Sequence, residues 1–321
     1  MAVFVKPALT CRFLGATPTV AVVGCPFSGG QPKPGVDAGP ARLLQSGVTQ
    51  DIENLGWKVD SADKLVEPPK DDKPDPDIGK LKKSRLVSEY NKNVAARIHS
   101  HALKGEFVVS LGGDHSLAMG TVSGVFRAYP DAALIYVDAH ADVNSPLTTQ
   151  SGNLHGCPLS FLLGLPGTSK EELPEFRWVD PVLRPDRLVY IGLRDLDESE
   201  KRIIKHYNIK AFTMRDVDRY GISKVVDLAL DHVGRERPLH VSFDIDSLDP
   251  AVAPSTGVPV EGGLSFREGH YIVGTLAETG NLVALDVMEI NPTISVNEGD
   301  TERTLRTGRS IIRTALGETL L

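Results

Sequence analysis

In the stretch YVDAHADVN, residues 136–144, Asp138, His140 and Asp142 occupy alternate positions directly after the apolar run Ala132–Val137. Side chains at i, i+2 and i+4 of an extended segment point the same way, so the three can converge on one point. SFDIDSLDP repeats the device, with Asp244 and Asp246 two residues apart after another apolar run. LGGDH adds His115 after the run 106–111, and Gly112 and Gly113 permit close backbone approach. Taken singly, each piece has a structural explanation. Asp114 and His115 can cap a helix beginning near Ser116, and an Asp-x-Asp pair can be a loop carboxylate. Together they bring four carboxylates and two imidazoles to the ends of three strands. Such a cluster without a cation costs too much in repulsion and desolvation, so the set predicts a metal site.

Carboxylates and imidazoles without a thiolate suit a hard or borderline divalent cation, and six ligands exceed what one ion with open positions uses. Two ions are therefore expected, bridged by carboxylates at roughly 3.5–4 Å, where a shared water is acidified into a hydroxide nucleophile near neutral pH. That is equipment for hydrolysis. The oxygen-rich set favours Mn²⁺, although Co²⁺, Fe²⁺ and Zn²⁺ bind the same groups.

The elements that must position these residues follow from the alternation of apolar runs with helix-length amphipathic stretches, a pattern of βαβ units and a parallel sheet. Strands are expected at 19–27, 106–113, 132–140, 187–195, 209–213, 238–246 and 282–290. Several are apolar without alternation, as strands covered on both faces should be. Helices are expected at 40–54, 84–104, 116–129, 198–207, 221–234, 265–279 and 302–315. In open parallel sheets ligands bind beyond the carboxyl ends of the strands, and there the charges lie. The proline- and charge-rich segment 67–80 reads as a surface loop, and no repeat or composition break divides the chain, so a single domain is expected. SGGQPKPGVDAGP (28–40) fits neither the Walker nor the dinucleotide fingerprint, so no phosphate site is read there. His99 and His101, two apart in a predicted helix, cannot share a face and are expected at the surface.

Of the 321 residues, 41% are hydrophobic and 6% aromatic, which provides for a large, mostly aliphatic core. A net charge of −7 with no basic tract argues against nucleic acid as a partner. No run approaches the roughly 18 apolar residues that span a bilayer, so no membrane is expected. Cys11, Cys25 and Cys157 are odd in number and widely spaced, which indicates neither a disulfide framework nor a thiolate zinc site and fits a reducing compartment. The absence of acidic residues before Asp37 is shared with mitochondrial leaders, but Pro7 interrupts the helix a leader would need. Residues 1–18 are accordingly read as a short N-terminal extension and the location as cytoplasmic.

At GGDH, DAHAD, SGNLHG and SFDIDSLDP, in this order and spacing, the chain resembles the ureohydrolase family, from about Val20 to Arg313. DVNSPLTTQSGNLHG (142–156) is similar to its arginase branch in particular. The resemblance implies a three-layer α/β/α fold around a mainly parallel sheet, two Mn²⁺ per subunit, and a homo-oligomer, a trimer or hexamer. It implies that His115, Asp138, Asp142 and Asp244 hold one ion and Asp138, His140, Asp244 and Asp246 the other. It assigns His155 to proton delivery to the leaving amine, a task that suits an imidazole. Glu289 would fix the guanidinium, whose planar fork a carboxylate matches. Asn144, Ser151 and Asn153 would hold the α-carboxylate of L-arginine and Asp197 its α-ammonium, with Glu200 acting less directly. Without the resemblance, His155 reads as a loop histidine, Glu289 as a strand-end charge, and Asp197 or Ser199 as a helix cap.

Two departures stand near the chemistry: Ser247 where glycine is frequent, and Val258 where threonine is. Neither removes a ligand. After the last helix the sequence lacks the extended tail with which animal members join subunits. The expected reaction is hydrolysis of L-arginine to L-ornithine and urea by a metal-bridging hydroxide. The alternatives are another amidinohydrolase, agmatinase or guanidinobutyrase, and a non-catalytic regulatory protein on the same fold.

Overall fold

Strands written as unbroken apolar runs need cover on both faces, and the chain supplies it with helices on either side of one sheet. A computed structural model describes residues 11–60, 65–70, 72–295 and 297–319. The leader-like features ahead of Cys11 lie outside the described residues. The first half contains β1 (Thr19–Cys25), α1 (Gly39–Gln45), α2 (Val48–Asn54), β2 (Lys58–Asp60), α3 (Ser84–Leu103), β3 (Phe107–Gly112), α4 (Ala118–Ala128), β4 (Ala133–Val137) and α5 (Pro158–Leu163). There follow β5 (Leu188–Leu193), α6 (Glu198–His206), β6 (Lys210–Thr213), α7 (Met214–Tyr220), α8 (Ile222–Val233), β7 (Leu239–Asp244), α9 (Phe266–Glu278), β8 (Leu282–Met288) and α10 (Asp300–Ala315).

The eight strands form one sheet in the order β2-β1-β3-β8-β7-β4-β5-β6, with parallel pairing throughout. Alternate strand residues enter different cores. Val109, Ile135, Val241 and Leu285 pack with α1, α2 and α7–α10, while Val108, Leu134, Tyr136 and Ala284 pack with α3–α5. This is the expected three-layer α/β/α arrangement. Because the strands are parallel, their carboxyl ends share one rim, and register levels it: Val137 pairs Phe243, which pairs Val287, which pairs Leu111. No helix among the described residues is long and apolar enough to cross a membrane.

The structure departs from the sequence reading at identifiable places. β2 is an eighth strand, three residues long at the sheet edge, too short to show a period. The helix expected over 40–54 is two helices, because Gly47 takes φ 100° and starts α2 in a new direction. α5 has only six residues between Pro158 and Gly164, and α7 begins at a capping box in which Asp216 accepts from the Thr213 N–H at 2.8 Å. The loop 67–80 is mostly exposed, yet Asp75 reaches α3 and accepts from the N–H groups of Arg85 and Leu86, each at 2.9 Å. His101 is a correction. It is buried, because it shares the inward stripe of α3 with Val94 and Ile98, and its Nδ1 lies 2.6 Å from Glu106 Oε2. With Asp60 these two form a third grouping of potential ligands, already satisfied by that contact and by Lys104 at 3.8 Å from Asp60.

Candidate active site

The residues singled out for chemistry meet on the level rim of the sheet. β4 ends at Val137, one residue before Asp138, so DAHAD is not extended as expected from its spacing. Asp142 instead takes φ 50°, and this left-handed residue turns its carboxylate back toward Asp138. Tyr136 fixes it there, donating to Asp142 Oδ2 at 2.8 Å while its ring stacks on His115. After β3, Asp114 caps the next turn through the Ser116 N–H at 3.0 Å, the structural role open to it, and also accepts from the Gly30 N–H at 2.8 Å. Capping leaves His115 pointing inward. Gly113 is required here, since a Cβ would overlap the Phe27 carbonyl oxygen.

His115 Nε2 lies 2.9 Å from Ser242 Oγ, which leaves Nδ1 facing three carboxylates: Asp138 and Asp244 at 3.0 Å and Asp142 at 3.5 Å. His140 Nδ1 lies 3.2 Å from Asp246 and 3.4 Å from Asp138. Two groupings result, His115–Asp138–Asp142 and Asp138–His140–Asp246, sharing Asp138. Asp244 adjoins both, with Oδ2 near His115 and Oδ1 accepting from the Asp246 N–H at 2.8 Å.

Electrostatics tests whether cations fit. Burial, then the charge of Asp138, pushes the Asp142 carboxyl up to about 8. Burial and the neighbouring carboxylates also raise Asp244 and Asp246. Burial opposes charge on His115 and His140, but their carboxylate partners outweigh it and hold both imidazoles protonated well above their ordinary range. Asp138 is fully buried, and its Oδ2 has no hydrogen bond of good geometry despite the nearby imidazole. Carboxylates that cannot all ionise, imidazoles that must borrow protons and an orphaned carboxylate oxygen describe a site completed by divalent cations. The donor set fits them.

Beside these groups opens a cavity of about 170 Å³, lined among others by His155, Glu289, Asn144, Ser151, Asp197 and Glu200. Glu289 follows β8 at φ 62°, and its Oε1 accepts from the His115 N–H at 2.8 Å. His155 is held through its N–H to the Gly30 carbonyl at 3.0 Å, with Nδ1 at 3.7 Å from Glu289 Oε1. Burial disfavours the charged ring, but Glu289 overcomes it and raises the pKa of His155. Asp197 is the N-cap of α6, and Glu200 accepts its N–H at 3.0 Å, so the capping role stands beside the cavity role. Burial raises Glu200 to about 7, against the pull of the Asp197 and Val143 N–H groups. Asn144 donates to Asp197 at 3.0 Å and accepts from Ser199 at 2.8 Å and Thr148 at 2.9 Å, leaving one amide N–H for a ligand.

Of the residues expected to touch substrate, Asn153 is absent from the cavity lining; its N–H donates to Ser151 Oγ at 3.2 Å. The cavity also includes Thr149, Asp195 and Val258, which sequence reasoning did not count as site residues. Thr149 stands within the quoted loop 142–156 and Asp195 two residues before Asp197. Their positions were visible, but their direction is set by the loops' tertiary path.

A model of the Arginase family matches residues 18–317. The arginase of Glaciozyma antarctica is 61% identical over 316 residues, spanning 97% of this chain and 91% of its own. That of Neurospora crassa is 48% identical over 324 residues, spanning 97% and 89%. The crystal structure of the cold-adapted G. antarctica arginase matches with a TM-score of 0.80 at 53% identity, covering 97% of this chain and 99% of that one. That of Bacillus caldovelox arginase gives 0.86 at 33% identity, covering 95% and 100%. A parallel sheet whose rim joins two candidate cation-binding groupings through one carboxylate, seen in such company, defines an enzyme of the ureohydrolase class. The chain belongs to the arginase family. Membership implies a binuclear metal site, and the paired groupings around Asp138 fit it.

Proposed function

We propose that the chain hydrolyses L-arginine to L-ornithine and urea, with two Mn²⁺ ions per subunit. The observation that carries this is the meeting of Glu289 and His155 in one cavity with His115, His140, Asp142, Asp244 and Asp246, its lining also including Asn144, Ser151 and Asp197. His115, Asp138, Asp142 and Asp244 would hold one ion and Asp138, His140, Asp244 and Asp246 the other. Bound there, the pair supplies a water acidic enough to attack at neutral pH.

The chain's own groups do the rest. Glu289 receives the guanidinium and orients its carbon toward the ligand cluster, its carboxylate fixed by the His115 N–H. The bond that breaks joins that carbon to the nitrogen of the ornithine chain, which must leave as an amine carrying a new proton. His155, with a raised pKa and a place beside Glu289, holds a proton to deliver. At the outer end Asp197 faces the α-ammonium, and Asn144 and Ser151 offer donors to the α-carboxylate. Asn153 assists through Ser151. Glu200 fixes Asp197 from behind. A homotrimer or hexamer and a cytoplasmic location complete the proposal. The first rests on the family resemblance and the second on three free cysteines; sedimentation and fractionation test them.

Agmatine shares the guanidinium and methylenes but lacks the α-carboxylate, so Glu289 and the metals cannot tell it from arginine. Asn144, Ser151 and Asp197 can, and a site whose polar groups lose their partner rejects an analogue by about 10⁴-fold. Urea release from the Mn²⁺-loaded enzyme, measured with L-arginine, agmatine and 4-guanidinobutyrate, should show that preference in kcat/KM. Equal efficiency on agmatine would replace the reading with a broader amidinohydrolase.

A further inference from the structure

Apart from Gly156, every residue lining the candidate cavity carries a polar side chain except one, Val258. It is also one of seven large hydrophobic residues exposed among those described, at 36%. Its exposure is built in. The Thr256–Ile290 bridge and the bond from the Asn291 N–H to the Ser255 carbonyl at 2.9 Å pin the segment 255–258 beside Glu289. On one side Lys33 Nζ donates to the Gly257 carbonyl, and on the other Arg194 Nη2 donates to the Val260 carbonyl at 2.7 Å. Gly257 itself faces Glu289, since a Cβ there would stand 3.5 Å from Oε2. Val258 therefore follows directly on the residue that faces the carboxylate read as the guanidinium anchor, and lines the same cavity.

An aliphatic wall at that point solvates neither ions nor water, and it gains by covering carbon. We infer that Val258 is a specificity-determining residue. Its methyl groups cover the methylene adjoining the guanidinium, so the site favours substrates with carbon at that position over those with a polar atom there. This rests on the L-arginine reading. L-Canavanine provides the probe, because an oxygen replaces that methylene while the α-substituents are kept. Against Val258 the oxygen loses water without gaining a donor.

The test compares wild type, Val258→Thr and Val258→Ala, all Mn²⁺-loaded, on both substrates. Threonine keeps the shape and exchanges one methyl for a hydroxyl that can donate to the canavanine oxygen. Losing a methyl contact and burying a hydroxyl against carbon should raise KM for arginine by roughly tenfold with kcat little changed. The arginine-to-canavanine ratio of kcat/KM should fall by roughly tenfold or more, and the change between variants cancels any difference in intrinsic reactivity. Val258→Ala should raise KM for arginine and narrow the ratio less. A ratio unchanged in both variants while arginine is turned over would overturn the inference, as would a loss confined to kcat. Failure of wild type to hydrolyse arginine would instead overturn the proposed function.

Discussion

Asp138 is wholly buried, yet one of its oxygens lacks a well-formed hydrogen bond, and it belongs to both ligand groupings. A residue placed so is explained by what it shares. Asp138→Asn keeps the shape and removes one negative charge from both ion positions, so Mn²⁺ content should fall well below two per subunit and hydrolysis with it. Elemental analysis after desalting decides this, and two retained ions would sink the bridging role. His155 makes the complementary case. Its ring lies 3.7 Å from Glu289, which is not among the proposed ligands, so His155→Ala should keep its metals and lose about 10²–10⁴-fold in kcat, the range for a general acid. Lost metal would make it a ligand, and intact turnover would return it to a loop histidine. Alternation and strand-end position were enough to bring the Asp and His residues of DAHAD, DID and GGDH under suspicion. The left-handed turns at Asp142 and Glu289 that aim them were not legible, because nothing local favours φ near 50–60° in an acidic residue; the strain is held by the surrounding fold.

Arg194 shows how an element end is tied to the site. Its guanidinium donates to the carbonyls of Gly192, Asp246, Ser247, Leu248 and Val260, so one side chain from the end of β5 fixes both the turn after β7 and the loop bearing Val258. Lysine cannot reproduce that fork. Arg194→Lys should weaken Mn²⁺ binding by about 10–100-fold, the usual cost of losing a group that orients a ligand, with activity recovering in excess Mn²⁺. A titration of the metal-free variant against wild type checks it; equal affinities would make Arg194 a loop staple without influence on Asp246. The longer strands were readable as runs richer in apolar residues; those inside the sheet are covered on both faces and have no alternative composition, while β6 at the edge is only part-buried. β2 was not, because three residues at an edge carry no period, and α5 was not for a similar reason. The α7 start was marked by Thr213 and Asp216, a capping pair that went unread beside the stronger signal of α8. His101 was placed outside by the rule that residues two apart on a helix cannot share a face. The rule holds, but one of the pair still has to face in.

The whole molecule folds around a deficit of positive charge at its sheet rim, and its stability should report this. In the metal-free protein the Asp142 carboxyl is raised to about 8 by burial and by Asp138, with Asp244 and Asp246 also raised. An unfolded chain releases these protons near pH 4, so across the interval up to the folded pKa the native state holds protons that the unfolded state has lost. His115 and His140 act in the same direction above about pH 6.5, since their imidazolium forms persist only in the folded cluster. Asp138 acts oppositely: burial resists its ionisation, but the two imidazoles hold it below the ordinary range, so its contribution appears above about pH 4 and is lost only on acidification. The majority term wins at neutral pH. Stability of the metal-free protein should therefore fall as pH rises from about 5 to 9. Mn²⁺ reverses the sign, because cations take the place of the protons and bind more tightly as competition from protons fades. Melting curves in chelator and in excess Mn²⁺ should diverge with rising pH, with Tm falling by several degrees in the first series and the gap between them widening. A metal-free Tm that is flat or rising over that range would show that the rim carboxylates are not held protonated in the folded chain, and would remove the electrostatic argument for its cations.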